Sequence, residues 1–236
     1  MIQRILREIH WHLVTKTLWL LFVLPARRRV LFAERPPRKG GFILASNHVS
    51  HFDPPLITIS FPRKIDWIAV AELFHGRFLN AFFTGLNVIP VDRSGADRNA
   101  LRTAVKRLKD GRIVGIFPEG GIRDGENSIV NGASMKQGVA LLSTMSGAPI
   151  LPGVILGSDR FYNAKSWLLP WRRPGVWIAF GKPISHPEGL SGDALRTHLQ
   201  ETFAREVIAL KDRLCREFNL TEADLPHSPQ QRMAEP

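Results

Sequence analysis

Six short apolar runs, each closed by glycine, proline or a polar residue, set the strongest constraint on how this 236-residue chain can fold. They are Gly41–Ser46, Ile65–Val70, Val88–Val91, Ile113–Phe117, Ile150–Leu156 and Val176–Phe180. Runs of four to seven residues have the length of strands and are too short for buried helices. Stretches with helical spacing alternate with them. Asp97–Leu108 carries Leu101, Val105 and Leu108 on one face, with Gly111 just past its end. Ser134–Met145 is a second candidate helix. Leu195–Phe218 is a long amphipathic third, with Ser191 as candidate N-cap. Strands interleaved with helices predict a single α/β domain with a largely parallel mixed sheet flanked by helices. No internal repeat is present.

The N-terminus has a different character. Leu18–Leu24 is apolar, but Lys16 interrupts it upstream and Pro25 with Arg27-Arg28-Arg29 ends it. A spanning helix needs about 20 apolar residues. A signal peptide lacks its small-residue cleavage site here. The run therefore reads as a helix in the membrane interface, with Trp11 and Trp19 at headgroup depth, or as a helix packed on its own domain. Residues 27–39 hold six basic residues against Glu34 and read as a connector that meets anionic headgroups. The division is then residues 1–39 as interfacial helix and basic connector, 40–220 as the α/β domain and 221–236 as a disordered tail.

Lysine and arginine outnumber acids 32 to 21, giving a net charge of +11 and an expectation of anionic partners. Nucleic acid is disfavoured, because the basic residues are spread between an apolar N-terminus and a tryptophan-rich segment, with no nucleic-acid module. That segment, Trp167–Arg173 with Trp177 near, suits either a lipid headgroup zone or a partly buried loop. The single cysteine, Cys215, forms no intrachain disulfide, which points to a reducing compartment.

Chemistry-bearing residues follow the ends of the predicted strands, where ligands bind in an open α/β sheet. Asn47-His48-Val49-Ser50-His51-Phe52-Asp53-Pro54-Pro55 follows the first run. Five residues of regular helix turn through about 140°, so only a turn brings His48 to Asp53. Asp53 before Pro54 supplies one, and two readings stay open. Asp53 either caps a helix, or pairs with His48 to orient an imidazole base. His51 adds a third: a metal-dependent hydrolase on His48, His51 and Asp53, which no second ligand cluster supports. Phe117-Pro118-Glu119-Gly120-Gly121-Ile122-Arg123 repeats the strand-end pattern, and Ile89-Pro90-Val91-Asp92-Arg93 ends another strand in a guanidinium suited to phosphate.

These segments, with Ala148-Pro149-Ile150-Leu151-Pro152, occur in the order and spacing of the four blocks of the glycerolipid acyltransferases. Over residues 40–185 the chain resembles the bacterial 1-acylglycerol-3-phosphate acyltransferases. The resemblance implies that residues 40–220 form an acyltransferase domain in which His48 and Asp53 are the catalytic pair. It implies that Arg93 binds the acceptor phosphate, that Glu119 and Gly120 bind the acceptor, and that the fourth block takes the acyl donor or packs. The family has Thr-Arg after Glu-Gly; here Arg123 is displaced by one residue. Lys136 matches a basic residue downstream of the third block. The implied reaction moves an acyl group from acyl-CoA or acyl carrier protein to a free hydroxyl of 1-acylglycerol-3-phosphate, giving phosphatidic acid for phospholipid synthesis. No metal and no cofactor are implied, and the implied place is the cytoplasmic face of the bacterial inner membrane, peripheral or monotopic. Another acceptor, glycerol-3-phosphate or a lyso-aminolipid, is the alternative within the same chemistry.

Overall fold

The computed structural model describes residues 2–23, 26–95, 97–168 and 173–234. At its centre is one seven-stranded sheet: β1 (Arg27–Phe32), β2 (Phe42–Ser46), β3 (Ile65–Val70), β4 (Ile89–Val91), β5 (Ile113–Ile116), β6 (Ile150–Leu156) and β7 (Gly175–Phe180). The strands lie in the order β1-β7-β6-β2-β5-β3-β4. Every neighbouring pair is parallel except β6 with β7, so β1 and β7 run against the other five. This is the α/β domain that the alternating runs predict. Eight α-helices are described: α1 (Ile2–Val23), α2 (Asp53–Ser60), α3 (Arg77–Gly85), α4 (Arg98–Lys109), α5 (Gly138–Ser146), α6 (Lys165–Leu168), α7 (Gly192–Phe218) and α8 (Pro229–Ala234).

β2 and β6 are buried along their whole length, as strands covered on both faces must be. Their side chains alternate between two cores. Ile43 and Ala45 join Ala104 and Leu108 of α4, Val139 and Ala140 of α5, and Leu199, Phe203 and Leu214 of α7. Phe42 and Leu44 join Phe22 of α1, Leu56 and Ile57 of α2, and Phe161. Asp97 lies one residue outside α4 and caps it, accepting from the amides of Asn99 and Ala100 at 3.0 and 2.9 Å. Ser191 is the N-cap residue of α7 but makes no side-chain cap bond. Helix α5 starts four residues later than its periodicity predicts, because the Lys136 amide is drawn out of register to the Pro118 carbonyl at 2.9 Å.

Two sequence expectations need correction. Residues 27–39 are more than a connector, since they supply β1 at the edge of the sheet. Arg27, Arg28 and Arg29 alternate exposed, half-buried and exposed, and Arg28 donates to the Ile59 carbonyl and Ser60 hydroxyl at the end of α2. An edge strand tolerates such charges, which hid this one from hydropathy. The segment 221–236 is folded as far as it is described. A 3-10 turn at Glu222–Asp224 and α8 pack back on the domain, and Arg232 is buried. Ion pairs and backbone contacts hold it, and composition does not reveal those. Residues 169–172 of the tryptophan-rich segment lie outside the described residues. Trp167 packs against Phe22, Phe52 and Phe161, and Trp177 carries Arg160 over its ring.

The N-terminal helix packs on its own domain along one side, as one of the two readings of its sequence expects. Its inner side carries Trp11, Leu18 and Phe22. The Lys64 ammonium lies over the Trp11 ring, Phe22 is buried in the core, and His10 meets Phe82 of α3. Its outer side leaves Ile5, Leu6, Ile9, Leu13, Trp19, Leu20 and Leu21 in solvent. No described helix is long and apolar enough to cross a membrane.

Candidate active site

β6, β2 and β5 are adjacent at the centre of the sheet, and their carboxyl ends deliver the three segments of the site. Asn47, directly after β2, is pinned to β6. Its side-chain amide donates to the Ile155 carbonyl and its oxygen accepts the Ile155 amide, at 2.9 and 2.8 Å. The chain then turns through Phe52 into α2. Asp53 opens that helix ahead of two prolines but does not cap it, which corrects one of the two open readings. Its carboxylate points back over the turn instead. Oδ2 accepts the amides of Val49 and Ser50 at 2.7 and 2.9 Å, and meets Nδ1 of His48 at 2.8 Å. Oδ1 accepts the hydroxyl of Ser158, which follows β6. A carboxylate only accepts, so Nδ1 of His48 carries the proton. Nε2 keeps its lone pair and has no partner among the described residues.

Aromatic packing fixes the other axis of the imidazole. The His48 ring stacks on Phe117 at 4.1 Å and 15°, and Phe117 stacks on Trp67 of β3 at 4.8 Å and 6°. Gly115 of β5 makes room for this pile, since a Cβ there would lie 2.5 Å from the Trp67 ring. One hydrogen bond on the ring edge and a flat aromatic beneath leave the imidazole little freedom to tilt or rotate.

Glu119 completes the frame from β5. Its Oε2 accepts the backbone amide of His48, while Oε1 accepts the Ser128 hydroxyl and the Ile129 amide at 2.7 and 2.8 Å. The residue is 5% exposed. Burial pushes its carboxyl up to about 7, against the pull of those three donors and of His48. Both oxygens thus accept from the protein, and Glu119 shapes the His48 turn. Gly120 next to it takes a left-handed φ of 68°. The Lys136 side chain crosses it, with Nζ 2.6 Å from where a Cβ would stand. Arg123 donates its amide to the His48 carbonyl at 2.8 Å and leaves its guanidinium exposed. The one-residue displacement thus leaves the Arg123 backbone against the His48 turn.

A protein-family model described as Acyltransferase matches residues 27–156, more than half of the chain. The chain belongs to the acyltransferase family. The matched stretch of this acyltransferase contains His48, Asp53, Arg93, Glu119, Gly120, Arg123 and Lys136. The 1-acyl-sn-glycerol-3-phosphate acyltransferase of Bacillus subtilis is 31% identical over 146 residues, 60% of this chain and 70% of that protein. The same-named protein of Borreliella burgdorferi is 29% identical over 133 residues, 55% of this chain and 51% of that protein. The crystal structure of the 1-acyl-sn-glycerophosphate (LPA) acyltransferase PlsC from Thermotoga maritima superposes with a TM-score of 0.62 at 27% identity. It covers 84% of this chain and 80% of that one. The acyltransferase is thus an enzyme of the 1-acylglycerol-3-phosphate O-acyltransferase type.

Other sequence-singled residues lie further out. Arg93 is exposed two residues past β4 and has no partner among the described residues. Three strand spacings separate β4 from β2, about 14 Å. His51 turns away from Asp53 to the Tyr162 hydroxyl at 2.6 Å. Among the described residues no group of three His, Cys, Asp or Glu side chains is placed to hold a metal ion. Pro152 of the fourth block is buried in β6, where it packs. Sequence reasoning missed Ser158, Ser128 and Trp67 as parts of the site, and took Phe117 only as the start of its segment. Only Ser158 had a usable signal, its place at a strand end after Gly157.

Proposed function

We propose that the acyltransferase moves a fatty acyl group from a thioester, acyl-CoA or acyl carrier protein, to the free hydroxyl of 1-acylglycerol-3-phosphate, giving phosphatidic acid. The observation that carries this is the His48 imidazole, held by Asp53 through Nδ1 with Nε2 left open at the carboxyl end of β2. Nε2 takes the proton of the acceptor hydroxyl as its oxygen attacks the thioester carbonyl carbon. The tetrahedral oxyanion collapses, the C–S bond breaks, and the departing thiolate takes the proton back from the imidazolium. Asp53 stabilises the imidazolium in between. No covalent acyl-enzyme and no cofactor enter this scheme. Arg93 takes the acceptor phosphate, with Lys136 and Arg123 as the cations nearer His48.

A lipid acceptor requires the site to meet a bilayer. Leu73, Phe78 and Leu79 follow the carboxyl end of β3, the same end of the sheet as His48, and Phe78 is 80% exposed. α3 contacts α1, whose outer side is apolar, so the two elements form one surface to enter a leaflet. Exposed basic residues of the two helices, such as Lys16 and Arg77, add attraction to anionic lipid. Monotopic attachment to the cytoplasmic face of the inner membrane fits donors that are cytoplasmic.

The test is turnover by purified protein against a panel of lysophospholipid acceptors with both donor types. 1-Acylglycerol-3-phosphate should be the preferred acceptor, and His48→Ala should lose ~10²- to 10⁴-fold in rate. His51→Ala should lose far less. Normal turnover by folded His48→Ala, or preference for a different acceptor, would sink the respective part of the proposal.

A further inference from the structure

The 3-10 turn Ser158–Tyr162 joins the site to the C-terminal segment. On its inner side Ser158, fully buried, donates to Oδ1 of Asp53, and its carbonyl accepts the Ser50 hydroxyl at 3.2 Å. On its outer side the next residue, Asp159, is fully buried and accepts Nε of Arg232 at 2.5 Å and the His227 amide at 3.0 Å. Arg232 is 2% exposed although α8 is a short polar helix. Its guanidinium also donates to the Leu225 and Ala223 carbonyls at 2.9 and 3.3 Å, which knits the segment together. Arg160 repeats the link, reaching Asp224 at 2.6 Å and the Ala223 carbonyl at 2.9 Å.

A buried ion pair contributes little net stability, because desolvation offsets its attraction; what it supplies is a fixed geometry. Here Oδ1 of Asp159 has no hydrogen-bond partner among the described residues, so the buried charge depends on what reaches Oδ2. Without Arg232 that carboxylate must either be hydrated, which opens the turn to water, or take up a proton, and in both cases the contact that holds the turn is lost. Ser158 is covalently next to Asp159 and moves with it. A shift of the turn weakens the hydrogen bond from Ser158 to Asp53, because that bond depends on distance and alignment. We propose that Arg232, with the C-terminal segment it anchors, is a positioning residue for acyl transfer, acting through Ser158 on Asp53. The proposal rests on reading His48 and Asp53 as the reacting pair. It assigns a catalytic consequence to a segment outside the stretch that the family model matches.

The experiment is a double-mutant cycle on the full chain, with 1-acylglycerol-3-phosphate and a long-chain acyl-CoA as substrates. Ser158→Ala and Arg232→Ala should each lower kcat about ten-fold, with both KM values within two-fold of the parent. The double variant should be no slower than the slower single variant, since both remove one chain of contacts. Arg232→Lys, which keeps the charge on Asp159, should restore kcat to within three-fold. Should Arg232→Ala not fold, Arg232→Gln gives a milder perturbation, and the same non-additivity is required of it. Losses that multiply to about a hundred-fold, or Arg232 variants with parental kcat, overturn the proposal. His48→Ala separates the two levels. If it is active, the reading of the pair fails and this inference with it. If it is inactive while the Arg232 and Ser158 losses multiply, only this inference fails.

Discussion

Glu119→Gln separates positioning from substrate binding at the third block. The carboxylate accepts two donors on Oε1, from Ser128 and Ile129, and one on Oε2, from the His48 amide. A glutamine has a single acceptor oxygen. It keeps the larger set by facing that oxygen to Ser128 and Ile129, which puts its NH₂ against the His48 N–H. One hydrogen bond to a charged acceptor is lost at that amide, worth about 1.5–3 kcal/mol. If the whole loss falls on the placement of His48, kcat drops about 10- to 100-fold. Stability should respond in the opposite sense. The folded carboxyl titrates at about 7 against an ordinary 4.5, so the folded chain binds a proton between those pH values that the unfolded chain has released. Ionisation then costs the parent about 3 kcal/mol of stability, accumulated as pH rises from 4.5 to 7 and fully present above it. Glutamine has no such slope, so at pH 8 the variant should unfold at equal or higher denaturant concentration while turning over more slowly. The assays are urea melts at pH 5 and pH 8 and steady-state kinetics varying the acceptor. A parental kcat with an acceptor KM raised ten-fold or more would refute the argument and make Glu119 a substrate ligand.

Gly115→Ala places a methyl into the Trp67 ring. It should cost about 1–3 kcal/mol by overpacking and lower kcat by tilting His48, as read by thermal melts and turnover; parental values for both would dismiss the aromatic stack as an orienting element. Arg93→Ala should raise the acceptor KM more than the donor KM, and equal rises would remove Arg93 from the phosphate site. Changing the exposed Ile5, Ile9 and Leu13 to serine should leave the melt unchanged but weaken flotation with anionic liposomes. Raised salt should weaken flotation of the parent only in part, because the apolar contribution survives screening. Flotation equal to the parent's would rule out the outer face of α1 as the anchor.

Six strands and the reactive turn after β2 were legible in the sequence, because each is a local pattern. Central parallel strands are buried on both faces, so they read as unbroken apolar runs, and glycine or proline marks where they stop. The spacing from His48 to Asp53, with proline behind it, likewise dictates a turn. β1 was not legible, since its three arginines sit where an edge strand tolerates charge. The C-terminal segment was not legible either, because one buried guanidinium and a few backbone bonds order it in place of an apolar face. At the site, sequence named the residues and tertiary structure decided their roles. Ser158 stands 105 positions from Asp53, and Glu119 71 from His48. Nothing local encodes such pairs; they exist because parallel crossovers bring the carboxyl ends of β6, β2 and β5 side by side. Periodicity along the chain specifies which side chains face inward. Which polar groups meet across the sheet depends on strand order, and only the folded chain sets that.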